Sequence, residues 1–375
     1  MKEGWTYKKL GEVYDVRDGT HDSPKYQSKG YPLVTSKNLR DGILDMSNVN
    51  FISQLDYNMI NQRSKVDVGD VLFAMIGTIG NPVYVEDEPE YAIKNMALFK
   101  VPENQSGKFL RYFLLNDNIL SKMQKESKGT TQKFVSLGYL RNFIISIPTL
   151  SEQQRIVSRL DAAFAHIDEL KANAEKQLSE ARALFQNALT KAMEPKEGWE
   201  EKRLPEISEN LDSMRKPVTK KDRTEGIYPY YGASGIVDYV DDYIFDENLL
   251  CISEDGANLL MRTYPIAFPI SGKVWVNNHA HVLRFKCMTT QRYIEYFFAG
   301  IKLDEYITGA AQPKLTQKAL NNITINIPDS IEEQQRIVSR LDSLSAHVRE
   351  LEEVTQKTIA ECDALKQALL RKVFE

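Results

Sequence analysis

The sequence lacks the features of a membrane or secreted protein. None of its apolar runs approaches the ~18 residues that a membrane-spanning helix needs. The opening segment from Met1 to Trp5 does not resemble a signal peptide. The cysteines Cys251, Cys287 and Cys362 have neither metal-ligand nor redox spacing. We therefore expect a protein of the reducing cytoplasm that holds no metal.

A net positive charge is also missing. The 375 residues include 48 Lys and Arg against 52 Asp and Glu, which gives a formal charge of −4. This balance argues against a protein that coats DNA through charge alone. It is compatible with DNA binding through local basic patches or with help from partner subunits. The length allows two domains with connecting elements.

The motifs of nucleotide-dependent catalysis are incomplete. No phosphate-binding loop is present, because Gly272-Lys273 lacks the earlier glycine and Gly107-Lys108 has Pro102 in its place. The segment from Asn81 to Tyr84 resembles the Asn-Pro-Pro-Tyr of amino-methyltransferases but has only one proline. A glycine-rich cofactor turn is absent too, so this segment predicts a turn beside a strand. We expect no catalytic site and no cofactor in this chain.

An internal repeat organises the sequence. The ten residues from Glu152 to Asp161 recur identically from Glu333 to Asp342. A Lys-Glu-Gly-Trp motif opens both halves, and it ends at Trp5 and at Trp199. Further matching positions are Gly129, Gln132 and Pro148 with Gly309, Gln312 and Pro328. The repeat predicts the order globular, helical, globular, helical.

Each helical segment has a recognisable start and an apolar stripe. Thr149-x-x-Glu152 and Ser330-x-x-Glu333 are capping boxes that follow prolines. Apolar or small residues then recur with heptad spacing, which predicts two helices of ~40 residues and ~60 Å. The predicted stripes are Ile156, Leu160, Ala163, Ile167, Leu170, Ala174, Ala181, Leu184 and Ala188, and Ile337, Leu341, Leu344, Val348, Leu351, Cys362, Leu365 and Leu369. The alternative is a pair of ordinary core helices.

Two such stripes most simply bury each other in an antiparallel coiled coil. The first helix leads directly into the second globular part at Trp199, so the chain end should lie close to Trp5 in the same way. We predict an α+β fold with two globular mixed α/β domains, separated by two long antiparallel coiled-coil helices in a pseudo-twofold, circular arrangement. The predicted boundaries are 1–148, 149–195, 196–328 and 329–375.

Together these segments resemble the specificity subunits of type I restriction-modification systems. The resemblance rests on Tyr31–Leu39, Gly69–Leu72, Gly77–Gly80, Tyr228–Gly235 and Ser253–Gly256, and on the duplicated Glu-Gln-Gln-Arg-Ile-Val helix openings. It implies that 1–148 and 196–328 are target-recognition domains that each read half of a bipartite DNA site. It also implies that the helices space these domains and dock two adenine-methylating modification subunits. Separate motor-nuclease subunits would cleave DNA, and S-adenosylmethionine, ATP and Mg would belong to these partners.

A basic segment of the second domain is suited to DNA. Five cations, among them Arg215, Lys216, Lys220 and Lys221, lie within nine residues before an aromatic turn. Such cations neutralise phosphates, while Tyr231 and Ser234 could reach base edges. The alternative is a solvated charged loop.

The repeated glycine loops are further candidates. The first carries Thr131, Gln132 and Lys133, and the second carries Gln312 and Lys314. Glutamine pairs bidentately with adenine, and lysine binds phosphate or guanine. The alternative for both loops is a purely structural turn. Additional candidates are Lys37, Asn38 and Arg40 in the first domain, and Asn277, Asn278 and His279 in the second. His279 and His281 lack further metal ligands nearby in the sequence, which favours a structural or DNA-facing role.

The helix openings suggest a docking surface. Their polar residues are largely off the apolar stripe, and equal surfaces for two copies of one partner would explain their identity. The candidates are Gln153, Gln154, Arg155 and Arg159, and Gln334, Gln335, Arg336 and Arg340. A recent duplication would explain the identity as well. Two other functional classes stay open, a single-chain methyltransferase-like enzyme and a duplicated scaffold that binds only proteins.

Overall fold

The computed structural model describes residues 4–40, 42–129, 133–309 and 312–375. The chain divides into two compact units. Unit 1 comprises Met1–Ala174 with Gln356–Glu375, and unit 2 comprises Glu175–Thr355. Each unit therefore contains a stretch of both long helices. No helix in the described part of the chain is both long and apolar enough to cross a membrane.

The first half of the chain contains eleven strands and six helices within the described ranges. The strands are β1 (Thr6–Lys9), β2 (Asp15–Asp18), β3 (Tyr31–Thr35), β4 (Leu39–Arg40), β5 (Ile43–Leu44), β6 (Asn50–Ile52), β7 (Val71–Ala74), β8 (Gly80–Tyr84), β9 (Ala92–Lys94), β10 (Met96–Lys100) and β11 (Ile144–Ile147). The helices are α1 (Leu10–Val13), α2 (Gln54–Ser64), α3 (Gly107–Leu115), α4 (Asp117–Lys125), α5 (Leu137–Asn142) and α6 (Leu150–Met193).

The second half follows the same plan. Its strands are β12 (Trp199–Arg203), β13 (Glu209–Asn210), β14 (Glu225–Gly232), β15 (Gly235–Val240), β16 (Phe245–Asp246), β17 (Leu249–Ser253), β18 (Ala267–Ile270), β19 (Lys273–Val276), β20 (Ala280–Arg284) and β21 (Thr324–Pro328). Its helices are α7 (Leu204–Ile207), α8 (Asn258–Met261), α9 (Met288–Gly300), α10 (Gln317–Asn321) and α11 (Ile331–Phe374).

Two of the sheets correspond strand by strand between the units. A four-stranded sheet has the order β2-β10-β7-β8 in unit 1 and β13-β20-β17-β18 in unit 2. A two-stranded sheet joins β1 to β11 in unit 1 and β12 to β21 in unit 2. The remaining main sheet contains one parallel pair in each unit, β3 with β9 and β14 with β19. The predicted mixed α/β fold in two copies is therefore confirmed.

In the two corresponding four-stranded sheets, the central strands β7 and β17 are buried on both faces. In β7, Val71 and Phe73 join one apolar cluster, whereas Leu72 and Ala74 join another. In β17, Leu250 and Ile252 similarly face a different cluster from Leu249 and Cys251. This follows from the two-residue period of a strand, because successive side chains point to opposite faces. A strand held on both sides gives the loop that follows it a fixed position.

Both long helices begin where the sequence predicts. The hydroxyl groups of Thr149 and Ser330 accept hydrogen bonds from the backbone amides of Glu152 (3.4 Å) and Glu333 (3.3 Å). The glutamate side chains bind arginine instead of completing the capping box, since Glu152 lies 2.6 Å from Arg155 and Glu333 2.7 Å from Arg336. The hydroxyl caps satisfy amides that have no partner within the helix.

The helices run antiparallel where they pack. In unit 1, Lys366 binds Asp168, and Lys171 lies 3.5 Å from Asp363. In unit 2, Arg182 lies 2.7 Å from Glu352. These pairs are exposed, so each contributes little to stability and serves mainly to mark the register.

The apolar stripe differs from the prediction at three leucines. The residues Leu170, Leu184 and Leu365 are 55%, 68% and 50% exposed. The next residue along the chain faces inward at each position, and these residues are Lys171, Phe185 and Lys366. A straight helix of 3.6 residues per turn drifts against a strict heptad repeat, so the buried face moves on by one residue. Phe185 packs on Tyr296, and the Lys366 ammonium lies over Phe164.

The predicted closeness of Trp5 to the other end of the sequence is confirmed. The ring of Phe109 lies 5.9 Å from Trp5 and 5.3 Å from Phe374. In unit 2 the corresponding tryptophan, Trp199, packs on Tyr293 at 6.2 Å. Each unit thus gathers a tryptophan and the end of a long helix around one globular core.

Candidate nucleic-acid interface

In unit 2, three loops meet at the segment that follows β17. The backbone amide of Glu254 donates to His279 (2.9 Å), and the Gly256 amide donates to Pro313 (3.0 Å). The Leu315 amide donates in turn to the Glu254 carbonyl (2.7 Å). The segment Glu254–Gly256 therefore links the β19–β20 loop to the glycine loop.

A fourth loop, the β14–β15 turn, joins the same edge. The Ser253 hydroxyl donates to the carbonyl of Ala233, and the Asn277 amide donates to Tyr231 (3.0 Å). The structure thus brings together Ser234, Asn278, His279, Gln312 and Lys314, whose side chains are all exposed. These five residues come from three different loops and form the candidate interface of unit 2.

Two other sequence candidates in this region serve the loops themselves. Asn277 is buried, and its side-chain oxygen accepts the His279 amide (2.8 Å), so it shapes the β19–β20 loop. Tyr231 is half-buried and stacks on Phe268 at 6.1 Å, and burial raises the pKa of its hydroxyl. The prediction that Asn277 faces DNA is corrected, because its amide is enclosed and bonded within the unit.

The basic segment divides into structural arginines and exposed lysines. The Arg215 side chain is only 11% exposed and lies 2.7 Å from Glu254. Arg223 lies over the Tyr230 ring at 4.2 Å and binds Asp238 at 2.9 Å. The prediction that Arg215 contacts DNA is therefore corrected. Exposed side chains that form no ion pair among the described residues are Lys216, Lys220 and Lys221.

A buried ion cluster lies beneath the interface of unit 2. The ligand atoms of Asp212, Glu254 and His281 lie within 4.8 Å of one another, a spacing that a metal ion would accept. The guanidinium of Arg215 lies between the two carboxylates, 3.3 Å from Asp212 and 2.7 Å from Glu254. The positive charge in this cluster thus comes from the protein. His279 is exposed outside it and binds Asp255 (2.8 Å).

Unit 1 repeats the arrangement of the glycine loop. Lys128 and Phe134 exchange backbone hydrogen bonds of 2.9 Å, as do Thr308 and Lys314 (2.9 and 2.8 Å) in unit 2. The Val135 amide donates to Met75 (3.0 Å), in the manner of Leu315 to Glu254. Lys133 is exposed at this hairpin. The candidates Thr131 and Gln132 lie outside the described residues.

The loop with Lys37, Asn38 and Arg40 lies beside β8 in unit 1. Its Leu39 carbonyl accepts a hydrogen bond from the Asn81 side chain (3.0 Å). Lys37 and Arg40 are exposed, whereas Asn38 is buried. The Asn38 amide donates to the carbonyls at positions 45 (2.9 Å) and 48 (3.0 Å) and accepts the amide of residue 35 (2.9 Å). Its predicted DNA contact is therefore corrected, because it holds this loop in shape.

His21 and Asn95 form a cluster that was not among the candidates predicted from the sequence. The two nitrogens of His21 lie 2.9 Å from the Asn95 side-chain oxygen and 2.8 Å from Asp18. Arg63 also binds Asp18. The signal was present, because Asp18 and His21 stand at the same distance after Trp5 as Asp212 and Arg215 after Trp199. Both units therefore place an acid and a cation at the same point of the fold.

The helix openings contain two residues that cannot dock a partner. Gln153 is buried and bonds with the Ser106 amide (3.0 Å) and the Pro148 carbonyl (3.0 Å). Gln334 is buried as well, bonding with Thr290 (2.8 Å) and the carbonyl of residue 328 (2.7 Å). Their predicted partner contact is corrected, because both amides tie the helix to its own unit.

The other residues of the openings are exposed, and they are Gln154, Arg155, Arg159, Gln335, Arg336 and Arg340. In unit 2, Arg336 and Arg340 line a groove of about 440 Å³ with Ala188 and Ala192 from α6. The polar identity of the repeat thus has two parts, a buried glutamine with a structural role and an exposed basic face.

Comparison with known proteins decides the family. The family model described as "Type I restriction modification DNA specificity domain" matches residues 2–180 and 196–361. The chain belongs to this family. The two matches correspond to the two copies of the repeated fold.

Some relatives of this chain align with less than half of it, whereas others align with its whole length. A putative type I restriction enzyme specificity subunit of Haemophilus influenzae is 36% identical over 145 residues, 39% of this chain and 37% of the relative. The EcoBI specificity subunit of Escherichia coli is 27% identical over 44% of this chain and 35% of the relative. The chain thus aligns with little more than a third of these two proteins. The EcoKI specificity subunit of Escherichia coli is 22% identical over 100% of this chain and 89% of the relative.

Solved structures share the fold of this family member. A chain from a structure on complex assembly and conformational transition of the type I R-M system has a TM-score of 0.79 at 20% identity, covering 100% of this chain and 98% of that chain. The HsdS subunit from Thermoanaerobacter tengcongensis has a TM-score of 0.59 at 21% identity, and the match covers 100% of this chain and 97% of that chain. At this identity the likeness concerns the fold.

Proposed function

We propose that the chain is the DNA sequence-specificity subunit of a type I restriction-modification complex. Unit 1 and unit 2 would each read one half of a bipartite target in double-stranded DNA. The observation that carries this proposal is the repeated edge, where the same hairpin is hydrogen-bonded to the residue after the same strand, with different side chains in each copy. A shared frame with different reading surfaces is what two different half-sites require.

The exposed side chains divide into two kinds of DNA contact. Lys216, Lys220 and Lys221 would neutralise phosphates, which contributes affinity without sequence preference. His279, Gln312 and Lys314 would reach base edges, because they share one edge of unit 2 with Ser234 and Asn278. In unit 1 this role would fall to Lys133, Lys37 and Arg40. Base contacts of this kind discriminate by ~1–3 kcal/mol each.

The chain itself would be non-catalytic. The Asn81 side chain, which a methyltransferase would need for the target base, is bonded to the Leu39 carbonyl. In the cluster of Asp212, Glu254 and His281, the Arg215 guanidinium supplies a positive charge to both carboxylates. Adenine methylation and ATP-dependent cleavage would reside in partner subunits, together with S-adenosylmethionine, ATP and Mg.

The exposed faces of the helix openings would dock two copies of the modification subunit. Arg155 and Arg159 in unit 1 have identical counterparts, Arg336 and Arg340, in unit 2. Gln154 and Gln335 extend the same faces. Equal surfaces suit equal partners, and these residues are exposed, so packing inside each unit does not explain their identity. The long helices would also set the number of unspecified base pairs between the half-sites.

Selection from DNA with a random sequence tests the proposal. The chain, purified with its modification subunit, is expected to enrich two fixed half-sites separated by a spacer of constant length. Binding should fall steeply with salt, as phosphate contacts require. Enrichment of a single continuous site would contradict the assignment of one half-site to each unit. Salt-independent or absent DNA binding by a complex that does assemble would favour the protein-binding scaffold.

A further inference from the structure

The unit 2 hairpin contains a position that its backbone reserves for glycine. Gly309 has a φ of +88°, and a Cβ atom there would lie 2.4 Å from the Gln312 carbonyl oxygen. Only glycine fits this conformation without strain. Gln312 and Lys314 follow this glycine, and the contacts that hold the base of the hairpin position them.

The base of the hairpin is held by His281 and Glu254. The Nε2 atom of His281 donates to the Leu315 carbonyl (2.8 Å), directly after Lys314. The Leu315 amide donates to the Glu254 carbonyl (2.7 Å). The Lys314 ammonium lies 3.1 Å from the Glu254 carboxylate. One histidine and one glutamate thus fix both the backbone and a side chain of the hairpin.

These two residues belong to the buried ion cluster. His281 is completely buried, and its Nδ1 atom lies 2.6 Å from Asp212. Burial alone would raise the pKa of Asp212, but hydrogen bonds from His281 and the Val282 amide and the charge of Arg215 hold that pKa below its ordinary value. Asp212 is therefore a carboxylate, so both nitrogens of His281 face acceptors.

Arg215 completes the cluster by binding its two carboxylates and the Ala280 carbonyl (2.7 Å). The pKa of Glu254 is also below its ordinary value, because the hydrogen bond from Arg215 and the charge of His281 outweigh the effect of burial. Breaking a buried pair leaves an uncompensated charge, which is strongly unfavourable. The carboxylate of Glu254 therefore has one strongly preferred position.

We propose that His281 and Arg215 are positioning residues for DNA recognition by unit 2. They hold Glu254 and Leu315 in place, and these two contacts in turn fix the orientation of Lys314 and Gln312. His281 and Arg215 do not touch DNA themselves. This inference rests on the proposed reading function of unit 2 and adds the residues that determine its accuracy.

Unit 1 offers an internal control, because no such ion cluster lies beside its hairpin among the residues that the structure describes. Ala97 is paired with Phe73 in β7, where His281 is paired with Ile252 in β17. Met75 takes the place of Glu254 ahead of the hairpin. A change in the ion cluster should therefore affect one half-site only.

The test uses His281→Gln and Arg215→Gln in the full chain with its modification subunit. His347→Gln is the control, since it changes an exposed histidine on α11 of the same unit. Binding is measured against DNA libraries with either half-site randomised. We expect both cluster variants to lose at least about fivefold of discrimination at the unit 2 half-site, the lower end of one lost base contact. Discrimination at the unit 1 half-site should stay within about twofold.

Hydrogen exchange of the same proteins provides a readout of the hairpin itself. Amides 308, 314 and 315 should exchange faster in the cluster variants, whereas amides 128, 134 and 135 should not. Unchanged exchange and unchanged discrimination in folded variants would overturn the proposal, as would equal loss at both half-sites. If a buried variant does not fold, Glu254→Gln takes its place in both measurements, because it removes the charge and keeps the size. A wild-type complex without bipartite preference would refute the proposed function instead.

Discussion

In unit 1 the hairpin that ends at Phe134 is joined to Met75, whereas in unit 2 the equivalent hairpin ends at Lys314 and is joined to Glu254. The backbone hydrogen bonds are the same in both units. The first junction is apolar, since Met75 lies in the core of unit 1. The second is ionic and rests on Arg215 and His281. The same backbone arrangement thus accommodates an apolar residue in unit 1 and a charged residue in unit 2 at the same position.

The comparison explains how a recognition domain can diverge without losing its fold. The core strands β7 and β17 are buried on both faces and fix the start of the following loop. What fills the space beside that loop can then be apolar or charged, provided that every buried polar group has a partner. The two units thus fix the orientation of the hairpin by different contacts, and this allows them to read different DNA sequences.

The largest expected effect concerns a feature that the two units share. Gln153→Ala removes a buried amide that bonds with the Ser106 amide and two acceptors, so we expect unit 1 to lose about 3 kcal/mol of unfolding free energy. Gln334→Ala removes two bonds from unit 2 and should cost less. The measurement is denaturant unfolding of each variant.

The adjacent exposed glutamine provides the matched control for this prediction. Gln154→Ala should change the unfolding free energy by no more than about 0.5 kcal/mol. The same variant should weaken binding of the modification subunit if the exposed face docks it. Equal destabilisation by Gln153→Ala and Gln154→Ala would contradict the division of the helix opening into a buried and an exposed part.

A smaller effect should separate the two reading edges. Lys314→Ala should reduce discrimination at the unit 2 half-site by ~1–3 kcal/mol, and Lys133→Ala should do so at the other. Each change leaves the opposite unit untouched, so the two half-sites are controls for each other. Libraries with one randomised half-site measure both. Loss at the same half-site in both variants would disprove the separate reading functions.

Much of the fold could be predicted because its signals are local. The repeat, the capping residues Thr149 and Ser330, and the proline before each helix placed α6 and α11 correctly. The stripe was less accurate, since heptad counting placed Leu184 and Leu365 inside when the true helical period turns them outward. Strand-like runs with glycine turns sufficed for the mixed α/β class.

The site was harder to predict because burial depends on distant partners. Asn38 and Asn277 have the side chains of base-reading residues, yet both are enclosed by their own loops. Arg215 stands in a basic run, but its partner Glu254 is far away in the sequence. Gln153 differs from Gln154 only through contacts with Ser106 and Pro148. For residues at exposed loop tips, such as Lys314, the structure does not contradict the predicted DNA contact.

The last prediction uses pH to distinguish the two acid-cation clusters. Hydrogen bonds to Asn95 and Asp18 raise the pKa of His21 above its ordinary value, against the opposing effects of burial and of Arg63. The charged form therefore stabilises unit 1 below the ordinary histidine pKa, and this contribution is lost as pH rises through the raised value. In unit 2 the lowered pKa values of Asp212 and Glu254 keep both carboxylates charged in the same range.

Between pH 6 and pH 9 the two half-sites should accordingly respond differently. Discrimination at the unit 1 half-site should fall modestly with rising pH, by up to about threefold, since His21 is a largely exposed group whose interactions are screened. The carboxylates of the unit 2 cluster should contribute no change over this range. His21→Gln should remove the pH dependence of unit 1, while His347→Gln should preserve it. An equal response of both half-sites would contradict a role of His21 that is specific to unit 1. A pH-dependent loss that persists in His21→Gln would exclude His21 as its source.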